Sequence, residues 1–220
     1  MSSRNHEHHG HNRDQTSAHA CAHYMPANAT PVYRKILWVA LVVNLAMFGI
    51  EIAAGSRAGS VSLLADALDF FGDAFNYGVS LFVLGLSVAR RAKASILKAV
   101  CMFAFGLLIF GKTLWNFRFG VPPEAVTMGA IGLLALAANV FVALLLYAYR
   151  EGDSNMRSVW ICSRNDAIGN VAVILAALGV FGTHSALPDL IVAALMATLA
   201  LRGAWVIWRL AELELQSLDR

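Results

Sequence analysis

Residues 60–88 read Ser60-Val-Ser-Leu-Leu-Ala-Asp66-Ala-Leu-Asp69-Phe-Phe-Gly-Asp73-Ala-Phe-Asn76-Tyr-Gly-Val-Ser-Leu-Phe-Val-Leu-Gly-Leu-Ser-Val88, an apolar run that nevertheless holds three acids. Such a run is long enough to cross a bilayer as a helix, for which about 20 residues suffice. Asp66, Asp69 and Asp73 fall at i, i+3 and i+7, a spacing that gathers side chains on one helix face. At a rise of roughly 1.5 Å per residue they form a stripe roughly 10 Å long, and Asn76 continues it. Leu63, Leu64, Phe70, Phe71 and Phe75 cover the other faces. An ionised carboxylate in hydrocarbon is costly, so this stripe must face the interior of a bundle or a water-filled cavity. Acids placed in this way usually mark an ion or proton path; the alternative is a structural polar contact between helices.

Working outward, further apolar segments run over about 33–54, 95–115, 124–149, 156–181 and 188–208. With 60–88 they predict an all-α, polytopic membrane protein: a bundle of six transmembrane helices. The connections are short and hold turn formers, namely Gly55 with Gly59, Pro122 with Pro123, Gly152 to Ser154, and Gly182 to Pro188. Short links favour antiparallel neighbours. Charged residues make up 14% of the chain, against roughly 25% in an average soluble domain, and the mean hydropathy of +0.61 agrees with a membrane protein. Residues 32–209 are expected to hold the six helices, flanked by a His-rich disordered cytoplasmic tail over 1–31 and a short cytoplasmic tail over 210–220. The first of these tails lacks the apolar core of a signal peptide, so it is expected to be retained. No room for a soluble domain is expected.

Basic residues near the helix ends set orientation. Arg34, Lys35, Arg90, Arg91, Lys93, Lys98, Arg150, Arg157, Arg209 and Arg220 fall on one side, and Arg57 and Arg118 on the other. Both termini are therefore expected in the cytoplasm, as an even number of spans requires. The net charge of +3 says little by itself; the basic residues near helix ends set topology, so membrane lipid is an expected partner and no nucleic acid is called for. Cys101 and Cys162 lie in apolar segments and Cys21 in the polar tail, which is not a disulfide framework. Gly129 and Gly132 in the fourth helix, and Gly169, Ala172 and Ala176 in the fifth, allow close packing of backbones.

The fifth helix complements the acidic stripe, with Cys162 and Asp166 at i and i+4 and Asn170 one turn further. Asp69, Asp73, Cys162 and Asp166 would together supply up to four metal ligands. Tetrahedral coordination by carboxylate and thiolate suits zinc, and the sulfur also suits cadmium. Without Cys162 the site is carboxylate-only, and manganese, iron or cobalt fit better. Acids and a thiolate held together must carry either a metal or protons, so the two compete for the same groups. That competition is the physical basis of exchange between metal and protons.

The run from Ser60 to Asp73, together with Asn165-Asp166-Ala-Ile-Gly-Asn170-Val-Ala-Val-Ile, resembles the second and fifth helices of the cation diffusion facilitator family. Asn44, Glu51 and Gly55 resemble that family's spacing in the first helix, and the likeness covers about residues 36–209. The resemblance implies efflux of a divalent metal by alternating access, with protons as the exchanged partner and the metal held midway across an inner (plasma) membrane of bacterial type. Carried over, the family's paired His or Asp and Asp positions fall on Asp69 with Asp73 and on Cys162 with Asp166. Zinc-selective relatives usually have a histidine at one of the positions held here by Asp69 and Cys162. Relatives also commonly have a cytoplasmic metal-binding domain after the sixth helix. This chain is expected to be a short form without it, so that a homodimer would form through the membrane helices. No fixed cofactor is expected beyond the transported ion, zinc or cadmium.

The remaining polar groups take lesser parts. Asp66, Asn76, Asn170 and Glu51 are candidates for a relay or for support around the ligands. His6, His8, His9 and His11 form a candidate low-affinity metal-collecting segment, or a solvated tail with incidental affinity. Lys112 is expected to snorkel to the outer interface marked by Trp115 and Arg118, Arg164 to meet an acid or a headgroup near the inner side, and His184 to lie on the surface. There is no HExxH, GxSxG or phosphate-binding glycine loop, so enzymatic activity is not expected.

Overall fold

The computed structural model describes residues 31–82, 88–147 and 154–218, and within these ranges the side chains of residues 82, 88, 91, 154–165 and 218 are not described. Among the described residues six helices follow in order: α1 (Pro31–Ala58), α2 (Val61–Phe82), α3 (Val88–Phe119), α4 (Ala125–Tyr147), α5 (Ser154–Thr183) and α6 (Leu187–Leu218). Five of them are long and apolar enough to cross a membrane; α2 is the exception because of its three acids. The protein is a multi-pass integral membrane protein. Large apolar side chains such as Leu108, Phe117, Leu144 and Leu195 point outward, as lipid-facing positions require.

Two helices outrun their apolar segments. α3 begins at Val88 rather than near Ser95, and α6 continues through most of the segment expected as a tail, to Leu218. Charge ends a hydrophobic window but not a helix, since Ala, Arg, Lys, Glu and Leu all favour helical backbone. The first turn is also shorter than the glycines implied. Gly55 stays inside α1, and the chain reverses at Gly59, whose φ of 73° lies in the left-handed region that glycine adopts without strain.

The most extensive contacts join α3 to α6, α1 to α2 and α4 to α5. Further contacts between α1 and α4, and between α2 and both α4 and α5, close α1, α2, α4 and α5 into a four-helix group. The α3–α6 pair leans on it through α2 and α5, so α2 touches every other helix. A small residue sets the α4–α5 approach: a Cβ on Gly132 would stand 3.1 Å from Ile174 Cγ1.

One end of the bundle is fastened by a carboxylate. Asp189, in the first turn of α6 and 1% exposed, accepts from Ser60 Oγ at 2.7 Å, Val61 N at 2.9 Å and Ser62 N at 3.0 Å. Ser60 Oγ in turn accepts from Leu63 N at 3.2 Å. The first N–H groups of α2, which have no partner within the helix, are thus satisfied by a capping serine and a negative charge at the positive end of the helix dipole. The same end is tied again where Glu124 N donates to Ala58 O at 2.9 Å, joining the start of α4 to the end of α1.

Candidate functional site

The α2 stripe divides between two neighbours. Asp69, Asp73 and Asn76 line a cavity of about 430 Å³ bounded by α2, α3, α5 and α6. Asp66 is absent from its walls; it is 2% exposed and lies against Glu51 of α1, which is fully buried. One face of α2 meets different helices at different depths, because packed helices cross one another rather than run parallel. Periodicity placed the three acids on one face but could not say what faces them.

From α5 the cavity receives Asp166, Ile168, Gly169 and Ala172. The small residues Gly169 and Ala172 leave space beside α6, where Met196, Leu199 and Ala200 form an apolar wall. Asp73 and Asp166 approach within hydrogen-bonding reach of each other, so the acids of α2 and α5 do meet. Asp73 Oδ2 also accepts from Tyr77 Oη at 3.3 Å, a residue one turn away on the same helix. Asp166 Oδ2 is buried with no hydrogen-bond partner among the described residues. Two carboxyls this close, with an oxygen left over, are arranged to share a proton or a cation.

Among the described residues, no three of His, Cys, Asp and Glu converge tightly enough to hold a metal ion as placed. Cys162 lies in α5, one turn before Asp166, but its side chain is outside the described residues, as is that of Arg164. The candidate site therefore shows Asp73 meeting Asp166, with half-buried Asp69 on the same wall. His6, His8, His9 and His11 also lie outside the described residues.

The supporting groups separate in the same way. Asn76 belongs to the cavity, whereas Asn170 is fully buried away from it, and neither of its side-chain atoms has a partner among the described residues. Both Glu51 oxygens and Asp66 Oδ2 are likewise buried without a donor among the described residues. Lys112 is exposed, as snorkelling requires, and His184 is exposed with a φ of 50°.

Lys98 is the residue whose surroundings sequence reasoning missed. Grouped there with the basic residues of the cytoplasmic side, it is only 5% exposed and lines the cavity, while Arg90 and Lys93 are exposed. Its ammonium donates to Asn76 Oδ1 and lies in the field of Asp73, Asp166 and Asp69. A signal was present: Lys98 stands a turn beyond the basic cluster, inside the apolar part of α3, where a lysine needs an internal acid or a route to the interface.

A model of the cation efflux transmembrane domain matches residues 37–211, most of the chain. The chain is similar to the zinc transporter ZitB of Escherichia coli (strain K12), with 28% identity over 187 residues, 78% of this chain and 59% of that protein. It is also similar to the cadmium, cobalt and zinc/H(+)-K(+) antiporter of Bacillus subtilis (strain 168), with 24% identity over 188 residues, 78% of this chain and 60% of that protein. It thus spans about three-fifths of the length of these relatives.

Proposed function

This chain belongs to the cation diffusion facilitator family, and from that premise we propose that it exports a divalent transition metal, zinc or cadmium, from the cytoplasm in exchange for protons. The observation that carries the reading is the meeting of Asp73 on α2 with Asp166 on α5 inside one cavity, with Asp69 on its wall. We assign the metal to Asp69, Asp73, Asp166 and Cys162, the last by its position one turn before Asp166. The names of the relatives, a zinc transporter and an antiporter of cadmium, cobalt and zinc, support the choice of ions.

The coupling follows from charge. Carboxyls gathered in a membrane interior bind a dication as carboxylates, so metal entry expels protons and proton entry expels metal. A site alternately open to each side then moves the two in opposite directions. α2, which touches every other helix and supplies two of the ligands, is the element through which a rearrangement of the bundle would reach the metal. The cytoplasm is assigned to the end of the bundle that holds Arg34, Lys35, Arg90, Lys93 and Arg209, against Arg57 and Arg118 at the other. An inner (plasma) membrane of bacterial type fits these relatives.

The test is metal flux into proteoliposomes loaded with a pH-sensitive dye, comparing zinc, cadmium, manganese and cobalt with and without an imposed proton gradient. Zinc or cadmium movement with opposite proton movement is expected. Flux limited to manganese or cobalt would point to a carboxylate-only site, and no flux of any metal in folded protein would overturn the transport reading.

A further inference from the structure

Lysines near the end of a membrane helix ordinarily extend toward the headgroups, because the stem tolerates hydrocarbon and the ammonium does not. Lys98 does the opposite. Its stem crosses α2 at Gly72, where a Cβ would stand 3.9 Å from Lys98 Cε, and its ammonium ends on Asn76 Oδ1 within the cavity. A buried cation is tolerable only beside compensating negative charge, and Asp69, Asp73 and Asp166 supply it.

We infer that Lys98 is a tethered counter-cation of the translocation site: its ammonium offsets part of the carboxylate charge when no metal is bound and gives way when a dication takes the carboxylates. The inference rests on the proposed metal site and adds a residue that sets its affinity and its turnover. Asn76 is the positioning residue. Its side-chain oxygen holds the ammonium beside the carboxylates rather than on them, so that a metal meets a site already neutralised in part but still open. Such a device adds to the protons in limiting the unbalanced charge of the emptied site while it returns, and it keeps metal binding weak enough for release.

The consequences have opposite signs at the two residues. Lys98→Met removes a competing positive charge, so zinc should bind about ten-fold more tightly, while transport falls because release and return are slowed. Asn76→Ala frees the ammonium to settle on the acids, so zinc should bind more weakly. In the Lys98→Met background the Asn76→Ala change should have no further effect on affinity, because the group it positions is gone. Lys98→Arg, which keeps the charge, should restore binding toward the wild-type strength.

The experiment is calorimetric titration of the purified full-length protein and these variants with zinc ion alone, paired with KM and kcat from the proteoliposome assay. Tighter binding with a lower KM and lower kcat in Lys98→Met, and an additional Asn76→Ala effect that vanishes in the double variant, support the inference. Unchanged or weaker binding in folded Lys98→Met overturns it. Should Lys98→Met fail to fold, tighter or unchanged zinc binding by Asn76→Ala overturns the inference and weaker binding supports it. Wild-type protein that binds no zinc, cadmium, manganese or cobalt would instead overturn the proposed metal site.

Discussion

Asp73 and Asp166 are unequal partners to their surroundings: one has a tyrosine hydroxyl and the other an oxygen with no donor among the described residues. Both are needed if the metal bridges α2 and α5. Asp73→Ala and Asp166→Ala should each reduce zinc flux by at least about 100-fold, a larger loss than removal of a supporting group causes, while leaving the amount of folded protein in the membrane unchanged. Normal flux by either variant would remove the central assignment. Cys162→His should retain zinc transport and lower the preference for cadmium over zinc, since a soft thiolate is exchanged for an imidazole. Competing-metal flux measures it, and an unchanged ratio would place Cys162 among the packing residues.

At the scale of elements, the bundle is held at one end by a contact that crosses from α6 to α2. Asp189 accepts three hydrogen bonds there, two from backbone N–H groups and one from Ser60. Asp189→Ala leaves these buried donors without an acceptor and should cost about 2–3 kcal/mol of stability. Thermal unfolding in detergent would show it as a lowered midpoint, and a midpoint equal to wild type would mean that water replaces the cap. Neither Asp189 nor its link to Ser60 was legible in the sequence, because 129 residues separate the partners and no local pattern joins them. By contrast, the six helices and most of their ends were legible. Helix-forming backbone in hydrocarbon must satisfy its own hydrogen bonds, so length and apolarity select five of the spans, while α2 was read as a span despite its three acids.

For the whole molecule, competition between protons and metal gives a direction to its pH dependence. Metal binding releases protons from the acids, so apparent zinc affinity should rise as pH rises and fall as pH falls, until the carboxyls are fully deprotonated. Titration at several pH values measures this, and affinity independent of pH would argue against shared ligands. Deleting residues 1–30, which include the histidine-rich segment, should change apparent affinity at most and leave maximal flux intact. Complete loss of flux would make that segment part of the transport machinery.

The sequence by itself determined the membrane class, the helix count, the shared face of the α2 acids, and Asp69, Asp73, Cys162 and Asp166 as candidate ligands. These follow from apolarity and helical periodicity, which are local properties. Only the tertiary structure decided that Asp66 turns to Glu51 while Asp69 and Asp73 turn to the cavity, and that Asn170 stays outside it. It also moved Lys98 from a row of topology signals to the wall of the site. The direction in which a long side chain points depends on what stands across from it, and helices far apart in sequence supply that. For Lys98 the cost of burying an ammonium was offset by acids on α2 and α5, which only the packing of the bundle brought within reach.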